Sequence, residues 1–248
     1  MRILLIIAVL IVLPLSAVRA ADDVIAVDLA VDHVDITTGF TGSYLSLFGV
    51  QDEPGDIAIT IKGPAREMVV RRKENVFGIW MNRTNMVFES VPAFYDYALS
   101  TDEAKIGPDA LRREYTIGVE TLKFRPRDEG EDAALVQEFQ NALIRNEQAQ
   151  GLFPTEPEPI TYIDDKFFRT TIYIPSNVPT GLYTIETYLI RGGRVVDMRE
   201  TEVKVAQVGK SAAINSFSKS WSFIYGLMCV AFAMGVGWFS NALRRKLS

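Results

Sequence analysis

Cysteine and histidine are almost missing from this 248-residue sequence, which contains one of each, Cys229 and His33. A single cysteine excludes an internal disulfide, and Cys229 lies in an apolar run near the C-terminus. One histidine leaves little for zinc, which usually takes three or four protein ligands rich in His and Cys. The only local ligand set is Asp32, His33 and Asp35. On an extended strand neighbouring side chains point to opposite faces, so at most His33 and Asp35 converge, and His33 reads as a surface strand residue. There is no Gly-x-Ser-x-Gly elbow and no glycine-rich phosphate loop. The adjacent acids Asp22-Asp23 and Asp164-Asp165 read as solvated loops. No catalytic, cofactor-binding or metal-ligating residue is assigned, and the expectation is a protein that is not an enzyme.

Acidic residues are absent from both ends. All 31 Asp and Glu residues lie between Ala21 and Lys210, against 20 of the 26 basic ones, so this middle stretch carries a formal charge of −11. Such a balance argues against a nucleic-acid partner, since phosphate binding needs a basic face. It also argues against docking by charge onto an anionic lipid surface. The remaining cations, Arg2, Arg19, Lys219, Arg244, Arg245 and Lys246, flank two apolar segments.

The N-terminal segment has the three parts of a secretory signal: Met1-Arg2, an apolar core from Ile3 to Leu13, and small residues around Val18-Arg19-Ala20. Cleavage is expected after Ala20. The C-terminal segment has no charge from Ser220 to Ala242. Its apolar run from Trp221 to Phe239 would rise about 28 Å as a helix, close to the ~30 Å hydrocarbon core. Aromatic residues mark its edges, with Trp221 at one and Trp238 at the other, and Arg244, Arg245 and Lys246 follow. The expected anchor is a transmembrane helix at 220–242, a linker at 211–219 and a cytoplasmic tail at 243–248. The domain would lie in the periplasm of a bacterial inner-membrane, single-pass protein; a disulfide-free domain fits that compartment. Small residues four apart, Ser222 with Gly226, Ala231 with Gly235 and Ala233 with Gly237, would allow helix-mediated oligomers.

Residues 21–210 carry short, alternating, β-branched and aromatic runs broken by Gly, Pro and Asp. Strands are expected at 24–30, 44–50, 56–62, 68–72, 77–81, 86–90, 94–99, 167–174, 182–191 and 194–205. Gly192-Gly193 is a two-residue hairpin signal between the last two. The stretch Pro175 to Tyr183 resembles the turn entering a late strand of immunoglobulin-like modules. Helical periodicity appears at 131–150, with Leu135, Phe139, Ala142 and Leu143 on one face, and a shorter helix at 109–114. The expected fold is mainly β: an antiparallel immunoglobulin-like sandwich with a helical insert at about 102–150. Arg71-Arg72-Lys73 reads as a solvated edge strand, and Phe77 to Trp80 and Phe94 to Tyr97 read as core.

The order of several segments carries a resemblance. Phe40-Thr41-Gly42, Leu45 to Gly49, Lys62-Gly63-Pro64, Gly78-Ile79-Trp80 and Val91 to Tyr95 are followed by Pro175 to Tyr183, then Tyr225-Gly226 and Gly237-Trp238. This set resembles the alphaproteobacterial transmembrane protein family, over nearly the whole mature chain. The resemblance implies a membrane protein without assigned catalytic residues, and an accessory role beside a transporter of the sulfite-exporter type. Two functions are therefore expected. One is a non-enzymatic, membrane-anchored accessory or interaction protein, with the lipid bilayer and an inner-membrane transporter as partners. The alternative is an envelope hydrolase or ligand-binding enzyme that uses carboxylates in a cleft.

Overall fold

In the computed structural model, residues 24–128, 130–208 and 221–247 are described; among them the side chains of Val76 and of residues 239–247 are not. The signal segment with its cleavage site, the acids Asp22-Asp23 and the 211–219 linker lie outside the described residues. The described residues are mainly β, with several sheets and three α-helices.

The centre of the fold is β4 (Asp56–Lys62), whose residues Ile57 to Ile61 are all buried. An unbroken apolar run of this kind suits a strand covered on both faces. It pairs antiparallel with β12 (Gly181–Arg191) on one side and β7 (Tyr95–Leu99) on the other. Beyond β12 lie β13 (Arg194–Gln207) and then β2 (His33–Ile36), which runs parallel to β13. Beyond β7 lies β9 (Glu158–Pro159), also parallel. The second sheet has the order β1 (Ile25–Leu29), β3 (Gly42–Gln51), β11 (Phe167–Pro175), β10 (Thr161–Tyr162), antiparallel throughout. In β3 and β11 burial alternates, with Leu45, Leu47, Phe168, Ile172 and Ile174 inside. These residues share one continuous core with Ile57, Ile59, Ile61, Ile185 and Val203 of the first sheet.

The opposite face of β4 and β7 is covered by the segment that follows β7. Helix α1 (Asp109–Tyr115) brings Tyr115 to 5.1 Å from the Tyr188 ring, edge-on. The Tyr95 hydroxyl donates to the Thr116 carbonyl (2.7 Å) and accepts from the Gly118 N–H (3.0 Å). Helix α2 (Ala133–Ala149) starts where Asp132 accepts the Ala134 N–H and ends before Gly151, whose φ of +70° suits a helix stop. Its buried Phe139 and Leu143 meet the third sheet, β5 (Ala65–Val76), β6 (Ile79–Pro92) and β8 (Arg125–Pro126).

The expected strands at 77–81 and 86–90 are one strand, β6, because the polar residues between them still complete backbone pairs with β5: Asn82 with Lys73 and Thr84 with Arg72. Phe77-Gly78 is a turn rather than strand, and Phe77, Ile79 and Trp80 are exposed, not core. Arg72 ties the hairpin to α2 through Glu138, and among the described residues the far end beyond it is not buried. Phe94, Tyr95 and Tyr97 are core, as expected. The short strands β2, β8, β9 and β10, of four residues or fewer, have no periodicity that a sequence could display. The C-terminal segment forms helix α3 (Ser222–Leu247).

Gly49 of β3 lies under the fully buried Phe168 ring, its cross-strand partner, and a Cβ at residue 49 would overlap that ring. Gly49→Ala should therefore lower unfolding stability by roughly 1–3 kcal/mol. Its combination with Phe168→Leu should cost less than the sum of the two single changes, as measured by denaturant unfolding.

Candidate interaction surfaces and a buried carboxyl

Helix α3 carries the residues expected to anchor the chain. Every described side chain from Trp221 to Trp238 is exposed, including Phe223, Leu227, Val230, Phe232 and Met234. A Cβ at Gly226, Gly235 or Gly237 would meet nothing within 4 Å. Arg244, Arg245 and Lys246 belong to the helix, and their side chains are among those not described. Among the described residues no helix is long and apolar enough to cross a membrane. What is described of the expected 220–242 span is an exposed apolar helix.

The β5–β6 hairpin is the second exposed apolar feature. Its root is packed: Met68, Val70, Met86 and Phe88 are buried, Phe88 against Phe124 at 6.1 Å. Arg72 binds Glu74 and Glu138 and sits 5.8 Å from the Phe139 ring centroid, which fixes the hairpin to α2. Beyond that point no residue from Lys73 to Arg83 with a described side chain is buried. The tip is apolar, with Phe77 100%, Ile79 67%, Trp80 68% and Met81 48% exposed. The expected basic edge strand is confirmed in position: Arg71 and Lys73 are exposed on β5 just behind the tip.

The candidate chemical groups mostly fall apart. His33 donates its Nδ1–H to the Asp32 carboxylate at 2.8 Å, both exposed, and that contact raises the imidazole pKa and lowers the carboxyl's. No group of three or more His, Cys, Asp or Glu residues that could hold a metal ion occurs among the described residues. Asp164 accepts the N–H groups of Lys166 and Phe167, which keep its carboxyl below the ordinary range; it closes the turn between β10 and β11.

One carboxyl stands apart. Asp96 of β7 is only 7% exposed, and it lines a cleft of about 500 Å³ with Gln148, Phe153, Glu158 and Tyr173. Register puts it on the face of β7 opposite Tyr95 and Tyr97, beside Ile61. Burial pushes the carboxyl up to about 7; the Tyr97 N–H opposes the shift and nearby Glu158 adds to it. Nothing in the sequence could flag this acid, because an alternating strand (Phe94-Tyr95-Asp96-Tyr97) reads as having its polar residue outside. Here β9 and the loop after α2 cover that face.

The pH dependence follows in sign. The folded state keeps the Asp96 proton between about pH 4 and 7, where the unfolded chain has released it, so stability is fullest below that window and declines as pH rises through it. Asp96→Asn should flatten this decline, and should be the more stable form at pH 8 by up to about 4 kcal/mol, read from denaturation midpoints across pH.

No curated protein matches the chain. A family model described as putative transmembrane protein (Alph_Pro_TM) matches residues 24–246, which takes in all three sheets and nearly all of α3. The chain belongs to this putative transmembrane protein family of alphaproteobacteria.

Proposed function

We propose that the chain is a non-enzymatic, membrane-anchored interaction protein. An immunoglobulin-like sandwich is held at the periplasmic face of the inner membrane by α3, as an accessory to an inner-membrane transporter. The observation that carries this reading is the exposure of every described side chain of α3 from Trp221 to Trp238. A helix apolar on all faces is unfavourable in water and stable either inside protein or in lipid. In sequence the uncharged run extends from Ser220 to Ala242 before Arg244, Arg245 and Lys246, the length of a bilayer-spanning helix. Cations on that side favour a cytoplasmic C-terminus.

The sandwich reading is supported by strand order. The sheet β1-β3-β11-β10 faces a set β2-β13-β12-β4-β7, and an edge strand runs parallel to the last long strand. Tyr183 at the start of β12 donates its hydroxyl to the Pro179 carbonyl (2.7 Å), the arrangement called a tyrosine corner in immunoglobulin-like domains. The alternative, an envelope enzyme working through cleft carboxylates, is favoured by Asp96 alone. That carboxyl sits among Phe94, Tyr95 and Phe153 and accepts its own neighbour's amide, an arrangement that suits a core acid better than a proton shuttle.

The full-length chain should resist carbonate extraction, and a tag fused after Ser248 should be shielded from protease outside sealed cells. A tag cleaved there, or a chain that washes free, would remove the anchor. Crosslinking in intact membranes should recover one defined inner-membrane protein; repeated recovery of the chain alone would count against an accessory role. Tyr183→Phe should cost about 1 kcal/mol of unfolding stability, the scale of one hydrogen bond.

A further inference from the structure

We propose that the tip of the β5–β6 hairpin is a second membrane contact, which seats Phe77, Ile79, Trp80 and Met81 among the headgroups of an anionic bilayer. The proposal rests on reading α3 as the anchor in that same bilayer. Three independent observations carry it.

The first is strain at the tip. Val76 pairs with Ile79, so the turn has two central residues, Phe77 (φ 51°) and Gly78 (φ 86°), and Asn75 accepts the Gly78 N–H (2.8 Å). Two positive φ values mark the mirror-image turn that matches strand twist and favours Asn-Gly or Gly-Gly. The β12–β13 hairpin makes the same kind of turn with Gly192 (φ 56°) and Gly193 (φ 72°). An aromatic residue in the left-handed region is strained by the crowding of its Cβ against the backbone, and a ring that is 100% exposed recovers none of that cost within the fold. Strain without a folding benefit points to a use outside the fold.

The second is charge. From Arg71 to Arg83 the hairpin carries Arg71, Arg72, Lys73 and Arg83 against Glu74 alone, a local +3 in a domain of −11. Arg71, Lys73 and Arg83 are exposed directly behind the apolar tip. Apolar and aromatic residues in front with cations behind is the order of groups that an anionic interface presents in reverse. The acidity of the rest of the domain confines this attraction to the tip.

The third is where the hairpin is rooted. Lys62, the last residue of β4, pairs with Thr184 of β12, and Thr184 pairs with Glu202 of β13. Strands β4 and β13 therefore run in the same direction, and both end at the same edge of the sheet. Gly181, paired with Val205, lies against Pro64 so closely that a Cβ there would come within 2.8 Å of the Pro64 ring. The hairpin leaves the domain beside the point from which the chain departs toward α3.

The test uses the full chain with Trp221→Phe and Trp238→Phe, which leaves Trp80 as the only tryptophan of three. It is reconstituted into vesicles of phosphatidylglycerol and phosphatidylcholine with brominated acyl chains, and carbonate-resistant flotation reads the anchor separately. Trp80 emission should shift to the blue, be quenched at least twofold by the brominated lipid, and be shielded from acrylamide. Arg71→Gln, Lys73→Gln and Arg83→Gln together, or phosphatidylcholine alone, should weaken that engagement on the order of tenfold. Phe77→Asn should keep or raise the melting temperature while reducing quenching, the reverse of a structural defect. Trp80 equally open to acrylamide with and without lipid overturns the proposal. So does shielding from acrylamide without lipid quenching, which would mark a protein partner or a second copy. A chain that fails to float while Trp80 stays quenched overturns the anchor alone; failure of both overturns both.

Discussion

Burial of β4 on both of its faces is the constraint on which the rest of the architecture depends. One face of Ile57-Ala58-Ile59-Thr60-Ile61 joins the core shared with β3 and β11, and the other, which it shares with the neighbouring Tyr95, Tyr97 and Tyr188, lies beneath the segment around α1. A strand covered twice needs two covers, and this explains why the chain between β7 and β10 contains helices rather than a short hairpin. Polar groups on the covered face must find partners there. Lys62 reaches Glu186 at 2.6 Å, and the carboxylate also accepts from Thr60 and Tyr188. Burial alone would raise the Glu186 pKa, and these donors outweigh it.

The same economy explains the two places where the fold departs from it. Asp96 is enclosed without a cation and holds its proton at a pH where other aspartates are charged, at a cost in stability that grows with pH. Phe77 is held in a backbone conformation that glycine occupies freely elsewhere in the same molecule. A core acid can be retained for packing reasons, since β9 and the Leu152-Phe153 turn close over it. A fully exposed strained phenylalanine has no such reason, so the hairpin tip and α3 become the two surfaces that ask for a nonaqueous partner.

Bulges aim the hairpin. The register between β5 and β6 shifts at Arg66/Met68, where Ser90 takes a φ of 55°, and again at Arg72/Lys73. Each shift bends and twists the ribbon. The first lies at the root of the hairpin, and the second lies beside Arg72, which binds Glu138 of α2. Arg72, tied to Glu74 and Glu138, marks the boundary between the packed root and the free arm.

Local pattern in the sequence determined β3, β11, β12, β13 and both helices of the insert by period-two and period-3.6 alternation, and β4 and β7 by short β-branched and aromatic runs between turn residues. It also determined the Gly192-Gly193 turn, whose backbone only glycine adopts without cost, and the uncharged C-terminal helix. Tertiary structure alone decided which aromatic clusters are core. Phe77 to Trp80 and Phe94 to Tyr97 look alike in sequence, but one lies beyond the end of α2 and the other beneath the insert. It alone decided that Asp96 is enclosed and that the hairpin is rooted where the chain leaves for α3. Those facts depend on which strands lie side by side, and pairing between segments more than a hundred residues apart leaves no trace in the periodicity of either one.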